Sequence, residues 1–251
     1  MGPIGLHGGG EFLAGDEPFL RLLAETAAGR TAAGSALRIA VVPTAAAGRR
    51  PDLSGAHGVA AFRSVGAALG VACAAEVVPI VDAASAADPQ LAALLAASDL
   101  VYMPGGDPGL VVRILRDSPA WRSILAARAG GAVVAGASAG AMALAEWTWT
   151  PGGGGAGLGA VSGLVVVPHF ERVPPAFWQA ERTAHGRDDL GILGLDERTG
   201  VLSLPGEAGR ESAWRVAGAG AATWLAPSSA EPIVGRDGET IELRGSALAA
   251  V

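Results

Sequence analysis

The chain has 251 residues, half of them hydrophobic, with a formal net charge of −6 and one cysteine. That length is enough to bury a sizeable core, and the acidic balance without any basic run argues against a nucleic-acid partner. All 18 basic residues are arginine, which excludes Schiff-base and P-loop lysine chemistry, and Cys73 alone supports neither a disulfide framework nor a thiolate metal site.

Residues Met1 to Leu6 lack the positive region and hydrophobic core of a signal peptide. Pro3 to His7 reads as a first strand, followed by the turn Gly8-Gly9-Gly10 and a helix over Asp16 to Ala28. Leu37 to Val42 is a continuous apolar strand stopped by Pro43, with a helix over Gly58 to Leu69 behind it. Ala75 to Val81 is the third strand, and Asp88 is placed to cap a helix over Pro89 to Ala97. Asp99 to Met103 is a strand closed by Pro104-Gly105-Gly106; helices over Leu110 to Arg116 and Pro119 to Ala129 follow. Ala132 to Ala135 is another buried strand, with a helix from Ala139. The longest apolar stretch, Gly131 to Ala145, is too short and too rich in glycine to span a bilayer, so no membrane partner and a cytoplasmic location are expected.

Apolar strands alternating with helices predict an α/β fold, three layers deep, around a mostly parallel, doubly wound sheet. Ligand sites in such sheets lie at the carboxyl ends of the strands. The second half is less regular: Gly152 to Gly155 reads as a flexible loop, short strands begin at Leu164, and Ser212 to Leu243 reads as hairpin-like. No linker or internal repeat divides the chain, so residues 1–251 are expected to form one domain.

Gly136-Ala137-Ser138-Ala139-Gly140 has the pattern of a nucleophile elbow, between a strand and a helix as that motif requires. In so glycine-rich a chain about 0.3 such matches arise by chance, so the neighbouring chemistry must support it. A serine nucleophile needs a base and a group to orient the base. Of the four histidines, His7, His57, His169 and His185, only His169 directly follows an apolar strand, Leu164 to Val167. Asp196 and Glu197 end a further apolar strand, and either is a candidate acid. The N–H of Ala139, at a helix start, and that of Gly106, on a turn where backbone can approach a ligand, are candidate oxyanion donors.

In order, Pro104-Gly105-Gly106-Asp107, the serine segment, Pro168-His169-Phe170 and Gly194-Leu195-Asp196-Glu197 resemble the cyanophycinase and dipeptidase E (aspartyl dipeptidase) serine peptidases. The resemblance implies a fold similar to class I glutamine amidotransferases and a triad of Ser138, His169 and Glu197, with Gly106 and Ala139 as oxyanion donors. It implies a small peptide substrate, with an aspartyl residue, and no metal or organic cofactor. Pro108 stands where cyanophycin-degrading members have glutamine, and of their arginine-rich run only Arg172 is present; a small peptide is therefore expected in place of a polymer. Asp107 and Arg172 are candidate substrate-binding residues, Arg172 for a carboxylate or else as the surface partner of Glu171 or Glu181. A homodimer is left open. The competing readings are a cyanophycinase-type β-aspartyl peptidase and a non-catalytic binding protein on the same scaffold. An α/β-hydrolase esterase expects its acid before its histidine, the reverse of the order here. A glutamine amidotransferase would need cysteine in place of Ser138.

Overall fold

The computed structural model describes residues 1–32, 34–150, 153–204, 213–227 and 231–248. The apolar runs of the amino-terminal half become five parallel strands: β1 (Ile4–His7), β2 (Leu37–Val41), β3 (Cys73–Val77), β4 (Leu100–Met103) and β5 (Val133–Ala137), in spatial order β1-β5-β4-β2-β3. Between them run α1 (Glu17–Ala28), α2 (Pro51–Leu69), α3 (Ala83–Ala87), α4 (Pro89–Ala96), α5 (Pro108–Leu115) and α6 (Pro119–Ala129). Successive side chains of a strand point to opposite faces, and both faces are apolar here. Leu37, Ile39, Val41, Tyr102 and Ala135 pack with Phe19, Leu23 and Phe62 of α1 and α2. Ala40, Val101, Met103 and Val134 pack with Leu95, Val111, Ile114 and Ile124 on the other side. That two-sided burial is why these strands read as continuous apolar runs.

Several element bounds differ from expectation, two of them widely. Helix α2 begins at Pro51, not Gly58, because a proline at the first helical position has its φ preset and needs no N–H partner. Strand β3 spans Cys73–Val77 and stops short of Pro79, which has no N–H for the ladder. Asp88 caps α4 as expected, accepting the N–H groups of Gln90 and Leu91.

The carboxyl-terminal half builds a second sheet. After α7 (Ala139–Leu144) come β6 (Ala145–Thr150), β7 (Gly153–Ala156), β8 (Val161–Pro168), α8 (Pro175–Ala184), β9 (Gly191–Leu195), β10 (Thr199–Ser203), β11 (Ala213–Gly218), β12 (Ala221–Leu225), β13 (Ile233–Arg236), β14 (Thr240–Glu242) and β15 (Ala247–Leu248). Strands β13-β12-β9-β8-β6-β7 form the second sheet, with β15 on β8, while β10, β11 and β14 extend the first sheet beyond β1. The chain therefore crosses between sheets after β5, through α7, and again between β9 and β10, β11 and β12, β13 and β14, and β14 and β15. Helix α7 lies in the gap: Ala141, Ala143 and Leu144 share one core with Ile4 and Leu6 of the first sheet and Val166 and Leu193 of the second.

Three expectations are corrected. The short strands begin with β6 at Ala145, not at Leu164. Gly153–Ala156 is not a loop but strand β7, antiparallel to β6; Gly152 lies outside the described residues. A ladder needs only backbone groups, and a Cβ on Gly154 would fall 1.5 Å from the Trp147 ring, so the glycine is what lets the indole lie across the strand. The run to Leu243 is hairpin-like only in part, and Ser212 lies outside the described residues: β12 and β13 pair antiparallel in succession, but β11 joins the first sheet and β12 the second, with Gly218, at φ +129°, ending β11. Among the described residues no helix is long and apolar enough to cross a membrane.

Candidate active site

Ser138 stands where β5 becomes α7, at φ 47° and ψ −111°, a region that a residue with a Cβ enters only under constraint. Its N–H donates to the His7 carbonyl at the end of β1 (2.8 Å), and its own carbonyl accepts from Met142 N–H (2.9 Å). The flanking glycines let strand and helix meet. A Cβ on Gly136 would come within 2.4 Å of the Gly140 carbonyl carbon, and one on Gly140 within 2.2 Å of the Met103 carbonyl oxygen. Ala139 is the first residue of α7, so its N–H has no partner within the helix.

Strands β8 and β9 run parallel with Pro168 opposite Leu195. The residues just past that pair, His169 and Asp196-Glu197, therefore emerge side by side. His169 is itself left-handed (φ 51°, ψ 40°), held by its N–H donating to the Gly8 carbonyl (2.9 Å). Its Nδ1 lies 2.7 Å from Glu197 Oε1 and its Nε2 3.4 Å from Ser138 Oγ. The imidazole is 32% and the carboxylate 24% exposed, so the group is partly open to solvent. Asp196 turns the other way, toward β12, where its carboxylate accepts the Ala221 N–H (2.8 Å). Burial pushes the Asp196 carboxyl above the ordinary carboxylate range, with the Ala221 N–H opposing. Of the two acids left open by residue pattern, it is Glu197 whose carboxylate meets His169.

The turn after β4 lies against the serine. Gly106 has φ +149°, and a Cβ there would come 2.2 Å from the Ala45 carbonyl oxygen, so only glycine fits. Asp107, a candidate substrate ligand, accepts the N–H groups of Gly109 and Leu110 and so caps α5. Arg172 is paired with Glu197 and, at 3.7 Å, with Glu171; Glu181 is not its partner. Of the other histidines, His57 lies on α2 and His185 ends α8 beside the Trp147 ring. His7 is fully buried, with Nε2 2.8 Å from Asp16 Oδ1 and its ring stacked on Phe19. None of these three joins Ser138. Among the described residues no three His, Cys, Asp or Glu side chains converge as a metal site would need.

Two contributors escaped the residue pattern. The Gly8 carbonyl takes the His169 N–H and the Gly9 carbonyl takes that of Arg198, so the turn after β1 fastens β8 and β9 to the serine strand. Glu11 reaches the turn after β4, its Oε1 accepting the Gly105 N–H (2.7 Å). The glycine run marked that turn, but nothing in its spacing signalled which strands it would bind.

A hydroxyl, an imidazole and a carboxylate in this order form the relay by which a base draws a proton from a nucleophile. The fold and this site together define a serine peptidase. The model of peptidase family S51 matches residues 6–203, and the chain belongs to that family. No curated protein matches it. Among solved structures, a peptidase from an acI-B1 Actinobacterium is 25% identical with a TM-score of 0.74, over 96% of this chain and 97% of that one. A Listeria monocytogenes EGD-e protein designated a peptidase E shares the fold at 17% identity and a TM-score of 0.56, over 94% and 98% of the two chains.

Proposed function

We propose that this chain is a serine exopeptidase that hydrolyses short peptides through an acyl-enzyme on Ser138. Ser138 Oγ attacks the scissile carbonyl while His169 Nε2 takes its proton; Glu197 accepts the Nδ1–H, fixes the tautomer and offsets the imidazolium charge. The N–H groups of Gly106 and Ala139 receive the oxyanion. His169 then protonates the leaving amine, and water, activated the same way, releases the acyl product. The observation that carries this reading is the unbroken contact chain from Ser138 Oγ through His169 to Glu197, at 3.4 and 2.7 Å. The longer of the two is of a kind that tightens once substrate is bound.

The family resemblance implies an aspartyl residue in the substrate. Arg172, the arginine suited to a substrate carboxylate, already faces Glu197 and Glu171, and that pairing favours a second reading, a short peptide without an acidic residue. A panel of Asp-Xaa, β-Asp-Xaa and neutral dipeptides, followed by amine release beside Ser138→Ala, decides. Cleavage confined to aspartyl peptides supports the first reading and cleavage of neutral ones the second, each abolished in the variant. If nothing is cut and a fluorophosphonate leaves Ser138 unlabelled, the proposal fails.

A further inference from the structure

Three successive amides follow β4, and their N–H groups meet different fates. Gly105 N–H donates to Glu11 Oε1 (2.7 Å), and Asp107 N–H donates to the Ala45 carbonyl (2.8 Å). Between them the Gly106 N–H donates to no described residue and stands on an exposed position next to Gly105, where a Cβ would lie 3.3 Å from Ser138 Cβ. A Gly-Gly linkage has little intrinsic preference for one peptide orientation. Rotation of the peptide plane between Gly105 and Gly106 would turn that N–H away from the serine. What prevents this is the fastening of both neighbours, one by a backbone carbonyl and the other by a single side chain from a different strand end.

Glu11 is itself held. It follows the Gly8-Gly9-Gly10 turn, and the next residue, Phe12, donates its N–H to Asp16 Oδ2 (2.8 Å) while its ring packs 5.6 Å from Tyr102. Asp16 is anchored in turn by the fully buried His7. The carboxylate is thus the end of a braced arm rather than a mobile surface group.

We propose that Glu11 is a positioning residue: by accepting the Gly105 N–H it holds the Gly105–Gly106 peptide so that the Gly106 N–H faces the oxyanion formed at Ser138. This rests on the reading of Gly106 as an oxyanion donor. Glu11 itself acts through Gly105. What matters is an acceptor oxygen at that point, so glutamine serves and alanine does not.

The test uses a fluorophosphonate probe on the full chain. Ser138 Oγ bonds to phosphorus, the phosphorus–fluorine bond breaks, fluoride leaves and the hydroxyl proton passes to His169; the phosphoryl oxygen occupies the oxyanion position. Glu11→Ala is expected to lower the first-order labelling rate roughly 10- to 100-fold, somewhat less than deletion of an oxyanion donor, with the probe's half-saturating concentration changed less than about threefold. Glu11→Gln is expected to recover most of the rate, and thermal melting of both variants checks that each is folded. Labelling of Glu11→Ala at the wild-type rate, with Ser138→Ala unlabelled, overturns the inference and leaves the serine reading standing. Equal loss in the alanine and glutamine variants overturns it as well, by assigning the effect to charge. If the wild type takes no label, both readings fall.

Discussion

Ser138, His169 and Arg198 all have positive φ without being glycine, and each sits in or beside the proposed relay. Such conformations persist only where the surroundings impose them; here the constraint is a backbone hydrogen bond to His7, Gly8 or Gly9 in each case. The site is thus aligned by main-chain contacts, and a side chain can be exchanged without moving its neighbours. That gives a sharp test of the acid. Glu197→Gln should lower kcat by about 10²- to 10⁴-fold, since an orienting acid of this type is worth about that much, whereas Asp196→Asn should leave it within about twofold. Asp196 has its own signature in stability. Its carboxyl lies above the usual range in the fold, so its favourable contribution exists at low pH and is lost as pH rises through that value. Asparagine still accepts the Ala221 N–H, so Asp196→Asn should melt no lower than wild type at neutral pH. The difference should close on acidification, read by melting across pH.

The elements that residue pattern revealed best are those whose periodicity or punctuation is local: β1, β2, β4, α6 and the elbow. The placing of Ser138 and His169 at strand ends was legible because each follows an apolar strand. The Glu197 assignment needed the parallel register of β8 and β9 together with the outward turn of Asp196, and register between strands is not written in either strand alone. Strand β7 was illegible because four small residues carry no side-chain pattern, and its partner is chosen by the β6 backbone. Glu11 was illegible for a related reason: its target is a main-chain N–H 94 residues away. The loop from β1 to α1 depends on the buried His7–Asp16 pair, since Asp16 also accepts the Phe12 N–H within it. Asp16→Ala strips His7 of its partner and frees the Phe12 N–H. Denaturant unfolding should show a loss of about 1–3 kcal/mol for the unsatisfied buried group, more if the pair is charged.

On the scale of the molecule, the two sheets are joined by a shared core rather than by a linker. Leu193 and Trp224 of the second sheet belong to the same cluster as Leu6 and Val134 of the first. The pattern of apolar runs had suggested one covered sheet, because a strand's burial does not reveal which sheet it enters. The continuity of the core predicts a single unfolding transition seen identically by calorimetry, tryptophan fluorescence and backbone dichroism. Leu193→Ala, fully buried, should lower stability by about 2–5 kcal/mol and shift that transition whole. Two separated transitions, or a shift confined to one probe, would instead show that the sheets melt independently.

The placement of β1 has a consequence in time. Strand β1 lies between β5 and β10, with Gly5 beside both Ala135 and Leu202, so its residues are synthesised long before those that close its edges. Pairings this distant along the chain are slow to form. Glu197 reaches His169 only on the segment that also supplies β10. On the proposed relay, a growing chain therefore carries its serine and histidine before the acid that orients the histidine, and gains that acid only as it enters the segment that closes β1.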